Sequence, residues 1–254
     1  MLKNLSFLAV GLCLCGASPA FADLYAYYGF ESDLTNASSL PGPDGTDVVG
    51  GAAAGTAGGI AGNALELETA SEEHMNVAIS HGGLGDLGDE FTISVWYNLN
   101  NPPGSNASNR YFIFESDVEF DLSYGLRDQG GLGDPGFNDT QSFSQGDGNA
   151  LFEDAYTPGT WQHVVQTYST DGGTTTITTY IDGVDANGAL TNAAVNFDGD
   201  GINFGAARDS ANNRGWDGLL DEIAIWDTSL SAGAVLAIYN QGLAGLPIPE
   251  PNPI

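Results

Sequence analysis

Phe91-Thr92-Ile93-Ser94-Val95-Trp96-Tyr97 places Phe91, Ile93, Val95 and Tyr97 on one face of an extended segment, a period of two that only a strand produces. The same alternation returns at Ile177, Thr179 and Ile181. Working outward, strands are predicted at 24–31, 64–69, 76–80, 91–99, 110–115, 119–127, 150–153, 161–168, 174–182, 202–207 and 219–226. Turn chemistry separates them: Asp171-Gly172-Gly173 splits two runs and Asp182-Gly183 follows another. The segments 50–62, 101–109 and 130–148 are rich in Gly, Ala, Asn, Ser or Pro and read as loops. One helix is expected, with Ser231 as its cap, Val235, Leu236 and Tyr239 as its apolar stripe and Gly242 at its end. Many short strands with one short C-terminal helix predict an all-β fold, a sandwich of two antiparallel sheets.

The termini read differently. Lys3, the apolar run Leu5–Leu14 and Ala20-Phe21-Ala22 form a secretory leader over residues 1–22, too short to span a bilayer. Residues 23–245 are then one domain. The tail 246–254 carries Pro at alternate positions from Pro247 and is expected to be extended and mobile. Cys13 and Cys15, both in the leader, are the only cysteines, so the exported chain has no disulfide. The expected location is secreted, extracellular or periplasmic, with no membrane insertion after the leader is removed.

The formal charge is −28, from 33 acidic residues against five basic ones. Beyond Lys3 the only cations are Arg110, Arg127, Arg208 and Arg214. Such a chain repels phosphate backbones, which excludes nucleic acid as a partner, and it disfavours anionic membrane surfaces. Solubility in a salty exterior accounts for most of the charge. At a few positions it points to Ca²⁺, a hard ion that prefers carboxylate and carbonyl oxygens.

Five stretches, in order, resemble the laminin-G-like branch of the concanavalin A-like lectin and glucanase jelly rolls. They are Gly59–Leu65, Phe91–Trp96 ("FTISAW"), Gly159–Val165 ("GxWxHVA"), Tyr180–Gly183 ("LYVDG") and Gly218–Trp226 ("FxGxIDEVRIW"). The resemblance implies a jelly roll that binds an extracellular glycan or surface protein. It also implies a structural Ca²⁺ joining the first and last strands, held by Glu31 and Asp221 with Asp33 as a weaker third ligand. Asp221 has the parity of Ile223 and Ile225, so without a bulge it would face inward. The alternative is an Asp that accepts backbone N–H groups from a neighbouring loop.

Other readings stay open. Glu115-Ser116-Asp117-Val118-Glu119 resembles the E-x-D-x-E strand of the glucanase branch, which would make a glycoside hydrolase or lyase. The competing reading is a hairpin that turns at 116–118. A matrix or surface-layer component without a small ligand is a third possibility. Asn196–Gly201 resembles the start of an EF-hand loop, but Ala207 stands where its Glu is required. His163 reads as a packed structural residue. Trp216 follows the polar stretch Asn212-Asn213-Arg214-Gly215 and, if exposed beside Arg214, would stack on a sugar ring; alternatively it folds back over the sandwich edge. Pro249-Glu250-Pro251 resembles the opening of a bacterial PEP-CTERM sorting signal, but no anchor is inferred from it.

Overall fold

The structure is a computed structural model that describes residues 24–37, 40–68, 72–81, 86–100, 110–116, 122–127, 139–143, 150–152, 158–193, 201–207 and 215–248. The leader, Arg208, Arg214 and Asp198 lie outside them. The described elements, in chain order, are β1 (Leu24–Tyr28), β2 (Gly45–Asp47), β3 (Ala53–Gly59), β4 (Gly62–Leu67), β5 (Met75–Val77), β6 (Glu90–Leu99), β7 (Arg110–Ser116) and β8 (Ser123–Arg127). These are followed by β9 (Asp139–Phe143), β10 (Ala150–Phe152), β11 (Gln162–Asp171), β12 (Thr174–Ile181), β13 (Val184–Ala193), β14 (Ile202–Phe204), β15 (Gly218–Trp226) and helix α1 (Ala232–Leu243). Among the described residues no helix is long and apolar enough to cross a membrane.

Two antiparallel sheets face one another, so the predicted sandwich is the observed fold. One sheet runs β13-β12-β11-β6-β15-β4-β3, with β1 also paired to β15. The other runs β10-β9-β8-β7-β14-β5-β2. Alternation explains the core between them. Phe91, Ile93, Val95, Tyr97 and Leu99 of β6 meet Phe114 of β7, Phe204 of β14 and Tyr124 of β8 in one buried cluster. Fully burying side chains of this size stabilises the fold by about 1.5–3 kcal/mol each relative to exposure.

The outer face of the larger sheet carries a second layer. His163 is fully buried in a triad of near-parallel rings with Trp96 (centroids 4.7 Å apart) and Tyr239 (6.1 Å), which are themselves 5.6 Å apart. Its Nε2 is 2.8 Å from Ser94 Oγ, and burial pushes the imidazole down to about 3, so it is neutral at pH 7. This is the structural histidine read from the sequence. Helix α1 closes the layer, capped by Ser231 Oγ, which accepts from Ala234 N at 3.4 Å. The helix runs past Gly242 and stops at Leu243, with Gly245 in the left-handed region (φ +68°). Gly242 is needed inside the helix because a Cβ there would stand 2.5 Å from Trp96 Cζ2.

Three expectations are corrected, the first being 130–148, read as a loop but holding β9 (Asp139–Phe143). The 50–62 stretch is not a loop: β3 pairs with β4 as an edge hairpin whose register shifts at Ala53/Thr56 and Ala57/Gly59. Small residues without periodicity hid it. The tail does not begin as a free end, since Ile248 is buried against Leu24, Tyr27, Ala224, Trp226 and Ile238.

Candidate functional site

The first and last strands meet as expected, with Tyr27 of β1 opposite Ala224 of β15. A bulge in β15 decides how the acidic pair beside them is oriented. The register shifts between Asp221 and Ala224, and Glu222 adopts φ +49°, a conformation that non-glycine residues seldom take. Asp221 lies opposite Trp96, while Leu220 lies opposite the core residue Tyr97. The extra residue therefore flips the parity. Asp221 does not share the core face of Ile223 and Ile225, which corrects the sequence reading. It is nonetheless fully buried, because the β3–β4 turn covers it.

Asp221 Oδ2 accepts the Ala61 N–H at 3.2 Å and Oδ1 accepts the Glu222 N–H at 2.8 Å. Burial, then the neighbouring Glu222 charge, pushes its carboxyl up to about 8. Glu222 is buried too. It accepts the Tyr27 hydroxyl at 2.5 Å and the Ile248 N–H at 2.6 Å, yet burial still raises its carboxyl to about 7. With values of about 8 and about 7 the buried pair is largely protonated at neutral pH, so a cation held there would have to displace those protons.

Glu31 approaches the same turn from β1. A Cβ on Gly62 would stand 2.0 Å from Glu31 Oε1, and one on Gly59 would stand 2.6 Å from Asp221 Oδ2. Gly59 and Gly62 are register partners, so the two carboxylates flank one tight turn. Both glycines are therefore spacing requirements. Asp33 does not join them. It is exposed, and hydrogen bonds from the Thr35 hydroxyl and N–H hold its carboxyl below the usual range. Among the described residues no three His, Cys, Asp or Glu side chains converge as metal ligands. The oxygen donors of Glu31 and Asp221 are of the type Ca²⁺ takes, but both Asp221 oxygens already accept N–H groups, from Ala61 of the β3–β4 turn and from Glu222, which is the alternative set out from the sequence.

Beside this pair lies an open cleft of about 440 Å³. Glu31, Ser32, Asp33, Thr35 and Asn36 line it, together with Phe30 and with Pro247 of the tail. Asn36 and Pro247 were not singled out by the sequence. Only the tail folding back brings Pro247 there, and no local pattern announces that.

The acidic strand resolves as a hairpin. β7 ends at Ser116, whose N–H donates to Leu122 O at 2.9 Å, and β8 returns beside it with Ser123 opposite Glu115. The described residues on either side of 117–121 thus pair as the two arms of a hairpin. Asp117 and Glu119 lie outside the described residues. Glu115 is buried on the side away from the core, in a row with Asn203, Asn76 and Ser123; Asn76 Nδ2 donates to Asn203 Oδ1 at 2.8 Å.

Trp216 is the clearest correction. It is fully buried, edge-on to Tyr97 at 5.7 Å, and its backbone N–H donates to Gly205 O at 2.6 Å. Ring packing in the core cluster holds the residue inward despite its polar neighbours, so it offers no platform for a sugar.

Solved structures share the fold. Domain 4 of AbnA, a GH43 extracellular arabinanase from Geobacillus stearothermophilus in complex with arabinotriose, is 21% identical with a TM-score of 0.62, over 85% of this chain and 98% of that one. Trypanosoma rangeli sialidase, in its complex with 2,3-difluorosialic acid, is 11% identical with a TM-score of 0.66, over 95% of this chain but 36% of the enzyme. No curated protein matches the sequence. The family model Laminin_G_3 matches residues 71–236, and with β1 against β15 and two facing sheets this chain belongs to the concanavalin A-like lectin/glucanases superfamily.

Proposed function

We propose that this chain is an exported, Ca²⁺-stabilised domain that binds extracellular carbohydrate, free or on a surface protein, and does not cleave it. The observation that carries the reading is the polar cleft at the end of β1. Its carboxylates and hydroxyls can accept and donate to several sugar hydroxyls at once. Export rests on the leader over 1–22. The hairpin at Ser116 speaks against a row of catalytic carboxylates on one strand. Glu31 and Asp221 would hold the ion, with backbone carbonyls completing about six to eight oxygens.

The arabinotriose complex of the similar arabinanase domain makes arabino-oligosaccharides the first ligands to try. Calorimetric titration with arabinotriose, and a broad glycan array, in Ca²⁺ and in EGTA would test the reading. The expected result is retention of a glycan that Asp33→Ala weakens without lowering the melting temperature. Ca²⁺ should raise the melt by mass action, and Glu31→Ala should abolish that rise. If no glycan is retained under either condition, binding is refuted. If EGTA leaves the melt unchanged, the ion is refuted. New reducing ends released from any polysaccharide would refute the non-catalytic part.

A further inference from the structure

We infer that Leu246–Ile248 is a docking strap, and that its seating on Glu222 and the ordering of the cleft-lining segment 31–37 are one coupled event. The inference rests on the cleft being the binding site.

The strap belongs to no strand or helix. Pro247 has no N–H to give to a ladder. Four contacts fix it: Leu246 N donates to Gln241 O at 3.2 Å, Gln241 Nε2 donates to Pro247 O, Ile248 N donates to Glu222 Oε2, and the Ile248 side chain is buried at 3% exposure. Its neighbour Leu246 is 54% exposed. Such a segment is held by one side chain and three hydrogen bonds, whereas β6 is laddered on both sides, to β11 and β15. Segments held so lightly open locally at a small fraction of the global stability.

The coupling runs through two residues. Glu222 binds the strap with one oxygen and the Tyr27 hydroxyl with the other. The backbone of Tyr27 in turn holds the far wall of the cleft: its N–H donates to Asn36 Oδ1 at 2.8 Å, and its carbonyl accepts from Ala37 N at 3.1 Å. Pro247 and Asn36 both face the cleft. A chain of direct contacts therefore joins the two walls. Releasing Ile248 leaves half of the buried Glu222 carboxylate without its donor, which loosens the Tyr27 contact on its other half. A ligand that touches both walls favours the seated strap, and by linkage the seated strap favours the ligand.

Amide hydrogen exchange on the full chain decides this. In Ile248→Ala the amides at 248, 37 and 27 should exchange about tenfold faster, while those of β6 and β11 stay as in the wild type. Arabinotriose, the probe, should bind more weakly by a similar factor. Faster exchange at 248 with unchanged exchange at 27 and 37 would overturn the coupling. Unchanged exchange at 248 would overturn the strap. Should β6 and β11 also exchange faster, Gln241→Ala removes a single strap contact and is read by the same amides. If the wild type does not bind arabinotriose, that counts against the binding reading alone, and exchange still decides the coupling.

Discussion

The Tyr27 hydroxyl donates to Glu222 Oε1 at 2.5 Å, across 195 positions of sequence and at the point where the first strand lies on the bulge of the last. Tyr27→Phe keeps the ring and removes the donor to a buried carboxylate. A hydrogen bond to a charged group is worth about 1.5–3 kcal/mol, so stability should fall by about that amount in urea unfolding at pH 8. A change under about 0.5 kcal/mol would mean that the carboxylate had found another donor.

The same pair sets a pH dependence. Asp221 and Glu222 have folded values of about 8 and about 7, both above those of an unfolded chain, so the folded state holds the extra protons. Their contribution is complete below the unfolded carboxylate range and is lost as pH rises through 7 and 8. His163 acts oppositely. Its folded value of about 3 lies below the ordinary 6.5, so its contribution is present above 6.5 and is lost as pH falls toward 3. Two carboxylates outweigh one imidazole between these limits. In EGTA the melting temperature should therefore be higher at pH 5 than at pH 8, and should fall again below pH 4. A flat or rising profile from pH 5 to 8 would contradict the buried, metal-free pair.

Trp216→Ala separates a core residue from a binding residue. Its ring is fully buried against Tyr97, and truncating such a side chain costs about 3–5 kcal/mol. The expected outcome is a large loss in denaturant midpoint. A variant as stable as the wild type that has lost only glycan binding would restore the exposed-platform reading.

Gly242→Ala forces a methyl group to 2.5 Å from the Trp96 indole. Helix propensity alone favours alanine by up to about 1 kcal/mol, but overpacking costs about 1–3 kcal/mol. Clash should win, with lower stability and an altered near-ultraviolet signal from Trp96.

The parts of the fold that repeat were legible before the structure. The Phe91–Tyr97 alternation and the β1–β15 pairing needed only side-chain parity and the family's motif order. β3 was not legible, because Ala and Gly carry no hydrophobic period. At the site, Glu31 and Asp221 were named because the resemblance to laminin-G-like domains implies them, and they do flank one turn. Glu222 was missed because its role depends on a single positive φ that inverts the parity of β15. Trp216 stayed open between platform and core because its neighbours are polar, whereas its burial comes from ring packing against Tyr97 in the core cluster, a contact distant in sequence.

The larger sheet ends its strand order at β3, where glycines at φ +85° and +105° and two register shifts interrupt the ladder. A flat rim of unpaired amides invites a second molecule to add its own strand, the first step toward fibrils. Here the kinked rim has no side chain larger than threonine with which to grip an incoming chain. The segment with the least sequence pattern thus denies an incoming strand a continuous ladder at this edge.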